Sequence, residues 1–231
     1  KPRIFTDTKY SLQTEYRKVT KNSSHILDFS LTNGHESHSN DGKNTRSHLF
    51  SNSIIDLDIK TFDISNLEIQ VQKITNDTYL KLFDLKSPLI QNSEPNTLNS
   101  FVNFSASKED LDLDASIEVY EKLDKPLRDR YEFILPSYNL NKNISLKNSL
   151  DGLLTFNSSG SQHVHDTNIT ETQLINDLFY QSEDKVLSNG VQSNYNILLK
   201  NVNTDGKNST KYKNKLQSEL VSSFIFESSY P

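Results

Sequence analysis

His163-Val164-His165-Asp166 comes nearest to a metal-binding or acid–base constellation in this chain. Residues two apart on a strand share a face, so both imidazoles would point the same way, as at a zinc site. Catalytic zinc takes three protein ligands, and no third stands at a recognisable spacing. A solvated strand end or loop explains the pair more simply. His35, His38 and His48 fall in one long polar link and read the same way. Asn201-Val202-Asn203-Thr204-Asp205-Gly206 opens like a calcium loop, with side-chain oxygens at alternate positions. Its closing position holds Tyr212 in place of the bidentate glutamate. An Asp-Gly hairpin turn accounts for it.

Gly206-Lys207-Asn208-Ser209-Thr210 lacks the leading glycine and the Lys-Ser/Thr adjacency of a phosphate loop. There is no Gly-x-Ser-x-Gly elbow, and nothing singles out a catalytic pair among the many acids. The Asn-x-Ser/Thr triplets, such as Asn22-Ser23-Ser24 and Asn168-Ile169-Thr170, are accidents of a chain rich in these residues. The expectation is no enzyme, no cofactor and no metal.

The elements that carry these residues are strands. In residues 111–120, Leu111, Leu113, Ala115, Ile117 and Val119 alternate with Asp112, Asp114, Ser116, Glu118 and Tyr120. Strand side chains point to opposite faces in turn, so this segment needs one apolar surround and one wet one. The pattern repeats over eleven segments: 9–20, 25–33, 49–59, 66–75, 97–107, 111–120, 130–139, 152–160, 171–181, 191–200 and 215–228. Short turns at 21–24, 60–65 and 108–110 alternate with long links at 34–48, 76–96 and 121–129. Outer-membrane barrels carry short turns on one rim and long loops on the other. Past residue 139 the link lengths become similar.

Composition points the same way. Of 231 residues, only 33% are apolar, and the mean hydropathy is −0.65. That is lean for a globule whose strands fill one shared interior, and it suits a barrel with a polar lumen and polar loops. The 10% aromatic content and the regular alternation argue against disorder. A net charge of −5 with no basic cluster sets nucleic acid aside as a partner. Zero cysteines exclude disulfides and thiolate metal sites. With no methionine and no signal peptide, the expectation is a segment of a longer protein. Tyr10, Tyr79, Tyr120, Tyr131, Tyr138, Tyr180 and Tyr230 are expected near strand ends, as either an interfacial aromatic girdle or plain β-propensity would place them.

The fold expected is all-β: residues 1–231 as part of an antiparallel up-and-down transmembrane β-barrel of about eleven strands, itself part of a larger barrel. Asp56, Asp58, Glu68, Gln70, Asp112, Asp114 and Glu118 would face the lumen. Ile55, Leu57, Leu67, Ile69, Leu111, Leu113, Ile117 and Val119 would face outer-membrane lipids.

Several segments in order resemble the lipopolysaccharide-assembly (LptD) family of outer-membrane barrels. Pro2–Arg17 (PRIFTDTKYSLQTEYR) and His25–Ser30 (HILDFS) look like early barrel strands. Ser47–Phe50 (SHLF) and Thr75–Lys81 (TNDTYLK) resemble the next strand start and the connection beyond it. Arg130–Asn139 (RYEFILPSYN) resembles a mid-barrel strand. The resemblance implies delivery of lipopolysaccharide to the outer leaflet of the cell outer membrane. It also implies an LptE-like lipoprotein plug as partner, and periplasmic lipopolysaccharide-bridge proteins that bind through an N-terminal jelly roll. The jelly roll and the C-terminal strands would be absent here, and gate residues map to no position in this sequence. The rival reading is a soluble extracellular β-rich adhesin or binding module, whose apolar faces would meet one another in a core.

Overall fold

The computed structural model describes residues 2–4, 10–33, 45–83, 85–90, 96–147, 151–166 and 168–230. Thirteen strands form in chain order: β1 (Pro2–Ile4), β2 (Tyr10–Val19), β3 (Ser23–Asn33), β4 (Arg46–Asp56), β5 (Ile64–Ile74), β6 (Thr97–Lys108), β7 (Leu111–Lys122), β8 (Tyr131–Leu146), β9 (Gly152–His165), β10 (Ile169–Ser182), β11 (Lys185–Val186), β12 (Gln192–Lys207) and β13 (Gln217–Ser229). One helical turn, α1 (Tyr79–Leu82), interrupts the link after β5. The strands hydrogen-bond in sequence from β1 to β10, then β12 and β13, as one up-and-down sheet that is not closed among the described residues. β11 continues β10: Gln181 pairs with Asn196 and Lys185 with Ser193. Four residues thus pass on one strand for three on the other, the signature of a bulge.

All eleven expected strands are present; β1 and β11 are additional, and the other differences lie at strand ends. β8, β9 and β12 run five to seven residues past their expected limits, through polar stretches such as Asn141-Lys142-Asn143 that read as links. β4 stops at Asp56, which places Leu57 and Asp58 in the following link, where Asp58 adopts a φ of 48°. Strand alternation therefore assigns neither of them a face. The link after β6 is Glu109-Asp110 alone, and 75–96 is the longest. Asn201–Gly206 lies within β12, with Gly206 opposite Glu171, so the proposed Asp-Gly turn is absent. The chain reverses instead over 208–216, where Asn208 adopts a φ of 56°.

Contacts divide the chain into two compact units: residues 1–57, 66–103 and 118–133, and residues 58–65, 104–117 and 134–231. In the first unit the burial pattern is inverted relative to a water-soluble sheet. On β3, Asp28, Ser30 and Thr32 are fully buried, whereas Leu27, Phe29 and Leu31 are 37–39% exposed. On β2, Ser11 and Gln13 are buried, while Tyr10, Leu12 and Tyr16 stand exposed. A soluble antiparallel sheet turns its apolar side inward. Here that side is the open one.

The second unit repeats the alternation on longer strands. The registers Tyr180↔Ile197, Ile197↔Phe224 and Tyr195↔Phe226 put these residues on one face. The rings of Tyr180 and Tyr195 lie 5.6 Å apart, and those of Tyr195 and Phe224 lie 6.2 Å apart. Ile197, Leu199, Leu220, Phe224 and Phe226 are all exposed. The other face carries amides and charges: Asn143 accepts from Thr155 at 2.9 Å, and Lys200 reaches Asp177 at 3.2 Å. Gly160 fits a close approach, since a Cβ there would meet the Tyr138 ring at 2.6 Å. The Tyr138 hydroxyl lies 3.2 Å from that of Ser158. Gly160→Ala should displace the Tyr138 ring, read as a loss of near-ultraviolet circular dichroism with the far-ultraviolet sheet signal retained.

Candidate functional site

The polar face of β2–β5 is the most organised chemistry in the molecule. Buried polar groups call for partners, and this face finds most of them by folding the 75–90 link onto itself, His48 Nε2 being left without a hydrogen bond. Asn76 shapes the entry, its Oδ1 accepting from the Thr78 amide at 3.2 Å and from the Thr78 hydroxyl at 2.9 Å. Such an Asx turn favours the start of a helical turn, and α1 follows. It carries Tyr79 to complete burial, with its hydroxyl 2.8 Å from both Ser30 Oγ and Thr32 Oγ1. Further along, Gln13 Nε2 donates to the Lys86 carbonyl at 2.9 Å and Gln72 Nε2 to the Leu89 carbonyl at 3.1 Å. Tyr79, Leu80, Phe83 and Leu85 of the link form one apolar cluster with Phe50, Ile74, Leu98 and Leu123.

Under Tyr79 lies a Ser–His–Asp set. Ser30 Oγ is 2.7 Å from His48 Nδ1, and His48 Nε2 is 3.4 Å from Asp28 Oδ1. Gln13 Nε2 also donates to Asp28, at 3.2 and 3.3 Å, and Phe50 stacks on the imidazole at 4.4 Å. A hydrolytic serine needs room for a substrate carbon beside its Oγ and donors for the developing oxyanion. Ser30, His48 and Asp28 are at most 1% exposed, and Tyr79 holds the Ser30 hydroxyl. The set acts as a hydrogen-bonded foundation for the link.

A second cluster ties the link to the start of β8. Arg130 donates from Nε to Glu121 Oε1 at 2.7 Å, from Nη1 to Asp77 Oδ2 at 3.0 Å, and from Nη2 to Asp77 Oδ1. Lys73 donates to Glu121 Oε2 at 2.7 Å and to the Tyr131 hydroxyl at 3.0 Å. The Asp77 carboxylate holds the Arg130 guanidinium above its ordinary pKa, against the opposing effect of burial. A planar fork suits two carboxylates at once, which an ammonium cannot match. Breaking a buried ion pair from one side costs about 3–5 kcal/mol. Arg130→Met should fall at the low end, because Lys73 still neutralises Glu121. It should speed amide exchange at Tyr79, Leu82 and Phe83, with Arg130→Lys intermediate; exchange unchanged from the parent would count against the clamp.

The strand registers show which of the expected site residues share a side of the sheet. Asp56 pairs with Asn66, Ile54 with Glu68 and Asn52 with Gln70, so Asp56, Glu68 and Gln70 share the polar face. Glu68 accepts from Asn52 at 2.6 Å, and Gln70 donates to the Asn99 carbonyl at 3.1 Å. Ile55 pairs with Leu67 and Ser53 with Ile69 on the other side. Along β7, Asp112, Asp114 and Glu118 alternate with Leu111, Leu113, Ile117 and Val119, and Tyr120 donates to Glu118 at 2.6 Å.

Three further expectations are corrected. His48 belongs to β4 and is buried, not to a polar link, because the strand starts at Arg46. Tyr79 is not at a strand end but on α1. Tyr138 falls in the middle of β8, because that strand runs on to Leu146. His35 and His38 lie outside the described residues. His163 and His165 close β9, where His165 sits 3.2 Å from Asp166. Among the described residues no group of three or more His, Cys, Asp or Glu side chains is arranged for a metal.

No family model matches the chain, and no curated protein matches it. No described helix is long and apolar enough to cross a membrane.

Proposed function

We propose that this chain is wall from an outer-membrane β-barrel that delivers lipopolysaccharide to the outer leaflet, without enzymatic activity of its own. The single observation behind the membrane part is the inverted burial of β2 and β3, where Asp28, Ser30 and Thr32 are covered and Leu27, Phe29 and Leu31 are open. Water gives no reason to leave such a face bare, whereas acyl chains do. The cargo rests on the resemblance of Pro2–Arg17, Ser47–Phe50 and Arg130–Asn139 to the lipopolysaccharide-assembly family. In this reading Asp56, Glu68, Gln70, Asp112, Asp114 and Glu118 line the lumen, and an LptE-like lipoprotein and periplasmic bridge proteins are partners of the whole protein. In the first unit the strand ends that carry 34–45, 75–96 and 123–130 face outward from the cell, where such barrels keep their long loops.

Photocrosslinking in the native outer membrane tests this reading. Gln70→p-benzoylphenylalanine should yield lipopolysaccharide adducts, and the same replacement at Ile69 should yield phospholipid or acyl-chain adducts. Lipid adducts at Ile69 without lipopolysaccharide at Gln70 would leave a barrel with another cargo. Protein adducts at both positions would support a soluble or assembled β-module.

A further inference from the structure

Three register pairs in the first unit join an apolar residue to a polar one on the same, open face: Tyr10↔Asn33, Leu31↔Ser47 and Leu49↔Lys73. In each, the apolar partner is the outermost on its strand toward the end that carries the long links. The polar partner lies just past the outermost apolar residue of the next strand: Asn33 past Leu31, Ser47 past Leu49, Lys73 past Val71. The apolar boundary therefore steps back by one same-face position per strand, from Tyr10 through Leu31 and Leu49 to Val71. The opposite boundary runs through Tyr16, Leu27, Ile55 and Leu67. Tyr16 pairs with Leu27 and Ile55 with Leu67, so its whole shift occurs between β3 and β4, where Leu27 faces Ser51. Both boundaries move in the same direction. Ser51 and Ser53 lie between them on β4, and the Ser53 hydroxyl is 2.9 Å from His25 Nδ1.

We infer that this face is cut by the plane of a bilayer lying oblique to the strands, an inference that rests on the membrane reading above and gives it a direction. The upper boundary retreats two residues per strand, about 6.8 Å for each ~4.8 Å of spacing, a slant of about 55°. The lower retreats four residues over three steps, a slant of about 43°. Strands of membrane barrels tilt by about 35–45°, and closure of any barrel demands such a tilt. A planar slab meets tilted strands along an oblique line, as the even steps of the upper boundary do, and the lower boundary moves the same way in its one step between β3 and β4. The residues at and beyond these lines fit an interface, with Tyr10 and Tyr16 on the boundaries and Asn33, Lys73 and Lys18 just outside. The occupant of the open face is a layer of lipid acyl chains, with Leu31, Leu49 and Val71 at one common depth.

The chain has no cysteine, so single-cysteine variants can carry a bimane label in vesicles containing lipids brominated at chosen depths. With the full chain reconstituted, Leu31→Cys, Leu49→Cys and Val71→Cys should be quenched alike, Phe29→Cys more strongly by deeper bromines, and Ser47→Cys and Lys73→Cys should lose quenching. Equal quenching of the ladder partners Leu31 and Ser47 would overturn the slant while leaving lipid contact intact. Quenching at none of them would overturn the membrane reading itself. Polarised infrared dichroism of the unsubstituted chain in supported bilayers gives the same angle without substitution. A strand axis upright in the bilayer would contradict the inference.

Discussion

Tyr79→Ala is expected to release the 75–90 link from the polar face of β2–β4. The side chain is fully buried, packs on Phe83 with ring centroids 5.3 Å apart, and lies beneath no solvent. Truncating a buried aromatic costs about 3–5 kcal/mol, and here two hydroxyl contacts disappear as well. A single helical turn with no side-chain cap bond of its own has little local stability to set against that loss. The loss should stay local. Ser30 keeps His48 and Thr32 keeps the Ser11 hydroxyl, 2.9 Å away, so β2–β4 retain partners for their covered groups. Tyr79→Phe separates the two effects. It keeps the ring and removes the hydroxyl, for about 1–2 kcal/mol over two neutral hydrogen bonds. Tryptic cleavage after Lys81, which is exposed, reads the release in the micelle-bound chain. Cleavage should accelerate strongly in Tyr79→Ala and modestly in Tyr79→Phe. Equal rates in all three chains would mean that the link is held elsewhere.

Ile117→Arg should block insertion, whereas Ser116→Arg should be tolerated. The two residues are neighbours on β7 and point to opposite faces, and Ile117 is 51% exposed. A basic residue turned to mid-bilayer costs roughly 2–4 kcal/mol. On the other face it joins the side of Asp114 and Glu118, where an added cation meets carboxylates. Because the two variants gain the same charge at adjacent positions of one strand, their difference reports on the face. Heat-modifiable migration of the chain after folding into micelles or vesicles is the readout. Equal folding of both variants would show that neither face of β7 meets lipid.

The sheet was legible because alternation has no competing explanation in segments such as 27–32 and 111–120, where the period of two is unbroken. What escaped was of two kinds. Polar residues hid strand ends: Asn141 and Asn143 look like a link, but their amides bond across to Asn157 and Thr155 and so belong to β8. The site was missed for a different reason. Asp28, Ser30 and Thr32 announced a polar face, but nothing local says that Tyr79, forty-nine residues beyond Ser30, will cover it. His48 looked like one more solvated histidine because its burial depends on that distant residue. Arg130, similarly, gains meaning only when Asp77 is folded beside it. The bend at Asn76-Asp77-Thr78 before Tyr79-Leu80 was the local sign available, and it marks a helical turn without saying where the turn docks.

The central claim is that the open apolar face of this sheet is solvated by lipid. The most direct measurement is the detergent dependence of folding: the purified chain is refolded with and without micelles, and its sheet circular dichroism and sedimentation are followed together. The account predicts aggregation in plain buffer, since an exposed apolar band and unpaired strand edges invite association, with a monodisperse sheet-rich species recovered in micelles. A monodisperse chain that unfolds cooperatively in buffer alone would mean that Leu27, Phe29, Leu31 and their neighbours bury one another, and the account would be contradicted.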